Sequence, residues 1–118
     1  MINSRAVLIA SIIGTVLQVA MVVAGHTNPS VAAMFAVGGM SISLVAGVIY
    51  GYLVKGPRVL GGLIAGGATA GGICAFIGIL VSHLMGDVPA SLLALGTVSS
   101  IVTGAIGGAI GKAFGSNG

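Results

Sequence analysis

Residues 31–84 read VAAMFAVGGMSISLVAGVIYGYLV, then KGPR at 55–58, then VLGGLIAGGATAGGICAFIGILVSHL. Two apolar runs are separated by a four-residue basic turn. Each run exceeds the roughly 20 apolar residues that a helix needs to cross the hydrocarbon of a bilayer. Pro57 and Gly56 stop one helix and start the next, and so short a turn makes the two helices antiparallel neighbours. Working outward, a third apolar run, Ala6–Gly25, precedes the pair and reaches it through His26-Thr27-Asn28-Pro29-Ser30. A fourth, Ala90–Phe114, follows after Met85-Gly86-Asp87-Val88-Pro89. The expected fold is therefore an all-α integral membrane protein of four transmembrane helices spanning 6–25, 31–54, 59–84 and 90–114.

Composition supports this reading. The 118 residues are 57% hydrophobic, and their only charged side chains are four Lys/Arg and one Asp. A soluble domain carries about a quarter charged residues, and so apolar a chain could not cover its own surface in water. The 22 glycines lie inside long aliphatic runs without a three-residue period, which excludes collagen and flexible linkers. Arg5, the run after it and Val22-Val23-Ala24 resemble a secretory signal, but the run is longer than such a signal needs. It is expected to remain as a structural helix. Cys74 is the single cysteine, so no intrachain disulfide can form.

Arg5, Lys55, Arg58 and Lys112 all fall on the side shared by the termini and the central turn. The other two loops hold no Lys or Arg, and one carries Asp87. The positive-inside rule then predicts cytoplasmic termini in a prokaryotic-type cell membrane. The basic residues serve first as this topology signal and then as contacts for anionic lipid headgroups. Two charges in the central turn make a weak patch, so nucleic acid is not an expected direct partner.

A shift of 57 residues superposes His26 on His83 and Lys55 on Lys112. Gly39, Ser43, Gly47 and Gly51 fall on Gly96, Ser100, Gly104 and Gly108, and Val31, Ala33, Val45 and Ile49 also recur. Histidine and lysine are rare in this chain, so their matches are the informative ones. Residues 1–57 and 58–118 thus read as tandem copies of one hairpin within a single membrane domain. Two helices per copy make the copies parallel, related by a pseudo-two-fold axis along the membrane normal.

The repeated small residues stand four apart and share one helix face. Gly67 and Gly71 do the same on the third helix, Ala10, Gly14 and Gln18 on the first, and Gly111 and Gly115 extend the fourth. A face without side chains lets two backbones approach closely. Such faces serve packing inside the bundle, contact between copies, or both.

Chemistry is sparsely supplied. His26 and His83 sit at equivalent helix ends, where paired imidazoles could ligate a haem or a metal. That end lacks basic partners for haem propionates, and Asp87 is its sole acidic residue, which is poor for zinc. The expectation is no cofactor, with haem or metal as the minor alternative. Gln18 is the one side-chain amide at membrane depth and is expected to hydrogen-bond between helices. Tyr50 and Tyr52 read as aromatic interface anchors. No Asp, Glu, Lys or Arg lies at membrane depth, which excludes the small multidrug transporters and rotary-ATPase proteolipids that the chain matches in size or layout. Position 106 is Ile and position 113 Ala where a phosphate-binding loop requires Gly and Ser/Thr, and Cys74 has no base in its segment. Enzymatic activity is not expected.

The stretch Gly39–Gly72 looks like the helical pilins of conjugation and DNA-transfer systems, which are small and almost wholly apolar with a basic turn between two membrane-type helices. Four helices exceed their usual two. The sequence thus predicts a non-enzymatic structural subunit that self-assembles through its glycine-rich helix faces into a homo-oligomer or larger membrane assembly, with pilus or secretion subunits as one form. The alternatives are a channel or facilitator for a small neutral solute and a haem- or metal-carrying subunit.

Overall fold

The computed structural model describes residues 3–54 and 59–114. These form α1 (Ser4–Thr27), the short α2 (Pro29–Ala32), α3 (Phe35–Leu53), α4 (Leu60–Leu84) and α5 (Ala90–Phe114). Helices α1, α3, α4 and α5 are each long and apolar enough to cross a membrane. Lys55 and Arg58 of the basic turn, and Gly115 of the last stripe, lie outside the described residues. Two ends can be distinguished. One carries Arg5 and Lys112, both exposed, and the other carries both histidines.

Local signals explain the helix ends. Asn3 caps α1, its side chain accepting from the Ala6 amide at 3.0 Å. The second span does not begin at Val31 as the apolar run suggested, because the chain breaks there. Asn28 Oδ1 accepts from Ser30 N and Val31 N, Pro29 opens α2, and one turn later the ladder is interrupted at Ala33–Met34. The break turns the chain so that the Phe35 ring fills the space over Gly25, where a Cβ would collide with it. At the α4–α5 loop, Met85 N bonds Val81 O and Asp87 N bonds Ser82 O. Between them Gly86 takes φ +82°, a conformation suited to glycine.

Helices α3 and α4 form the centre of the bundle and touch each other, while among the described residues α1 and α5 pack mainly on these two rather than on one another. A two-fold exchanging α1 with α4 and α3 with α5 would make the α1–α5 and α3–α4 contacts equivalent, so the packing is not strictly symmetric. The buried cluster holds mostly small side chains, Ala6, Ala10, Ala46, Ala70 and Cys74, with Tyr50 and Leu63. Leu8, Val16, Val37, Leu95 and Val98 point outward. Large apolar groups outside and small ones inside suit a lipid surround, where association depends on close packing and polar contacts rather than on removing apolar surface from water.

Candidate functional site

The glycines of the α3 and α5 stripes fall into two groups along the bundle. Toward the Lys112 end the backbones touch. A Cβ on Gly47 would strike the Gly104 carbonyl oxygen, and one on Gly51 would stand 2.8 Å from Gly111 Cα and 2.9 Å from Gly108 O. Helix α4 closes on the same place: a Cβ on Gly67 would meet Gly104 O, and one on Gly71 would lie 2.8 Å from Ser100 O. A real Cβ tolerates none of these separations without displacing backbone. Contacts of this kind gain dispersion energy and favour weak Cα–H···O bonds.

Toward the histidine end the same stripes diverge. Gly39 of α3 and Gly96 of α5 line a cavity of about 180 Å³ instead of touching. Its walls also include Met21, Phe35, Met40, Ile79 and Leu95, and its floor is formed by Gln18, Ala75 and Ser100. Met40 and Leu95 are 40% and 66% exposed, so the cavity opens between α3 and α5. Where the helices press together, missing side chains allow contact. Where they separate, missing side chains leave space.

Gln18 stands at the junction of these halves and is 2% exposed. Its Nε2 donates to Gly39 O at 3.1 Å, with Ser43 Oγ at 3.4 Å and Cys74 Sγ at 3.9 Å as further acceptors. Ser43 in turn donates to Gly71 O at 3.3 Å, and Cys74 Sγ donates to the same oxygen at 3.3 Å. One polar cluster thus links α1, α3 and α4 inside the bundle, where its members satisfy one another.

The two histidines, which stand 57 residues apart, are used differently. His26 Nδ1 pairs with Asp87 Oδ2 at 2.8 Å, joining the end of α1 to the α4–α5 loop. His83 Nδ1 donates to Val88 O at 2.8 Å, inside its own loop. The two Nδ1 atoms are thus engaged by different partners, Asp87 for His26 and the Val88 carbonyl for His83. No group of three or more His, Cys, Asp or Glu residues suited to a metal occurs among the described residues.

Tyr50 departs from the anchor expectation. It is 1% exposed, its hydroxyl accepts from the Asn3 amide at 2.9 Å, and its ring occupies the space where a Gly66 Cβ would be. Tyr52 is 59% exposed, as an interface residue would be. Sequence reasoning also passed over Ser82. It lies in α4 four residues beyond Gly78, whose missing Cβ makes room for Gln18, and its Oγ is buried without a partner among the described residues. The spacing from Gly78 was the available signal, although only the fold reveals that Gly78 faces Gln18. Comparison with protein-family models, curated proteins and solved structures finds no match to this chain.

Proposed function

We propose that this chain is a non-enzymatic structural subunit of a membrane assembly, built from two tandem parallel hairpins with its termini in the cytoplasm. The supporting observation is the use of the glycine faces within one chain. Gly47, Gly51, Gly67, Gly71, Gly104, Gly108 and Gly111 all approach another helix of the same bundle so closely that a Cβ would collide with its backbone. Such a bundle is a stiff unit. Further copies or partner subunits then dock on its outer faces, one of which is the apolar groove between α4 and α5 lined by Gly72, Phe76, Thr97 and Ile101. Assembly through the interior glycine faces themselves would require the bundle to open. Electron microscopy of native particles extracted with their lipid tests the proposal. A ring, filament or multi-bundle particle supports it, and a population of isolated single bundles overturns it.

The cavity favours a second reading, a facilitator for a small neutral solute. The cavity would then be a vestibule and the Gly47–Gly104 contact its closed gate, so passage would require α3 and α5 to part. Solute flux into proteoliposomes tests this, and a Gly47→Leu variant that leaves flux unchanged sinks it.

A further inference from the structure

The cavity at the histidine end contains polar groups that the fold leaves unused. Ser82 is 1% exposed and lines the cavity wall, yet its Oγ has no hydrogen-bond partner among the described residues. A serine in a helix ordinarily bonds the carbonyl one turn back, as Thr69 does to Ala65 O at 2.8 Å in the same helix. An unpartnered hydroxyl away from water loses free energy that a bound ligand would restore. One turn lower, Gln18 directs its Nε2 protons toward α3 and α4, and its Oε1 accepts no bond from a described residue. Gln18, which packs against Gly78, and Ser82 both belong to the lining of this space, and Gly78 and Ser82 share one face of α4.

We propose that this cavity binds a small neutral amphiphile, a molecule with a compact apolar body and one hydroxyl group. The size follows from the volume: an apolar cavity of roughly 150 Å³ accepts a benzene-sized molecule, and this one is about 180 Å³. The apolar body follows from the walls, which are Met, Phe, Ile, Leu and glycine. Neutrality follows from the lining, which holds no charged residue. The hydroxyl follows from the polar pair, since an alcohol can accept from Ser82 Oγ–H while donating to Gln18 Oε1. The inference does not depend on whether the chain assembles with further copies.

The test uses the full chain in lipid nanodiscs with its methionine methyls carbon-13 labelled, and benzyl alcohol and toluene as probes. Met21 and Met40 line the cavity, whereas Met34 and Met85 do not. Benzyl alcohol should shift the Met21 and Met40 methyl resonances saturably and leave those of Met34 and Met85 in place. Toluene, without the hydroxyl, should bind about five-fold more weakly, and Ser82→Ala should weaken benzyl alcohol by a similar factor while leaving toluene unchanged. Ala36→Phe, which puts a ring into the cavity, should abolish both. Shifts that rise without saturation at all four methyls would mean simple partitioning into lipid and would overturn the proposal. Equal affinity for the two probes in the unmodified protein would also overturn it, and that comparison requires no variant to fold.

Discussion

The side-chain amide of Gln18 donates to the carbonyl oxygen of Gly39 at 3.1 Å, tying α1 to α3 at the depth where the bundle changes from closed to open. Below it, Gly14 lies so close to Cys74 and Ala46 that a Cβ would stand 2.9 Å and 3.2 Å from theirs. Above it, the cavity begins. Replacing the amide with a thioether of similar length, Gln18→Met, should lower stability by about 1 kcal/mol, the usual size of an interhelical hydrogen bond in a membrane. Reversible unfolding in mixed micelles measures this, and an unchanged midpoint would show that the bond contributes nothing.

Adding one methyl group separates the two kinds of glycine. Gly47→Ala places its Cβ on the Gly104 carbonyl oxygen and cannot be accommodated by a rotamer change, because the obstacle is backbone. A loss of about 2–3 kcal/mol is expected from such overpacking. Gly61→Ala meets nothing within 4 Å and should change stability by less than about 0.5 kcal/mol. The same unfolding assay compares them, and equal effects would refute the close approach of α3 and α5.

Tyr50→Phe keeps the ring against Gly66 but removes the oxygen that accepts from the Asn3 amide. The start of α1 should loosen while the bundle persists. Hydrogen exchange should read this as faster exchange at Asn3, with a stability loss of about 1 kcal/mol. Unchanged exchange at that amide would place the tyrosine hydroxyl elsewhere.

The contact between His26 and Asp87 is short but half-exposed, with 45% and 26% of the two side chains accessible. Partly solvated pairs contribute little. A double-mutant cycle with His26→Ala and Asp87→Ala should give a coupling of about 0–1 kcal/mol that shrinks as salt is added. A coupling above about 2 kcal/mol would mean the pair is far better shielded than its exposure indicates.

Orientation is tested independently of the fold. Asn28→Cys should react with a membrane-impermeant thiol reagent from outside intact cells, and Gly56→Cys only after the membrane is opened. Cys74 is buried and should stay silent. The reverse labelling pattern would overturn the assignment from Arg5, Lys55, Arg58 and Lys112.

Much of the architecture is legible from the residues. The α4 and α5 bounds follow from apolar length and the Pro89 punctuation, because hydrocarbon thickness imposes a minimum span that no soluble fold requires. The α2 break was less legible. Val31-Ala32-Ala33-Met34 is apolar enough to continue a span, and only the packing of Phe35 over Gly25 shows why the helix restarts. Tyr50 was misread for a related reason. A tyrosine near a basic turn suits an interface by composition, and its burial depends on Gly66 arriving from a different helix.

The sequence by itself determined that four segments are long and apolar enough to cross a membrane, which loops carry positive charge, and which faces are bare of side chains. Each of these is a property of one segment and its solvent, so no knowledge of neighbouring helices is required. The tertiary structure alone decided that the bare faces press together around Gly47, Gly51, Gly104 and Gly108 yet part at Gly39 and Gly96. It also decided that Gln18 and Ser82 line the resulting space. A missing side chain permits either contact or cavity, and the distance between the helix axes, set by every contact in the bundle, selects one of them.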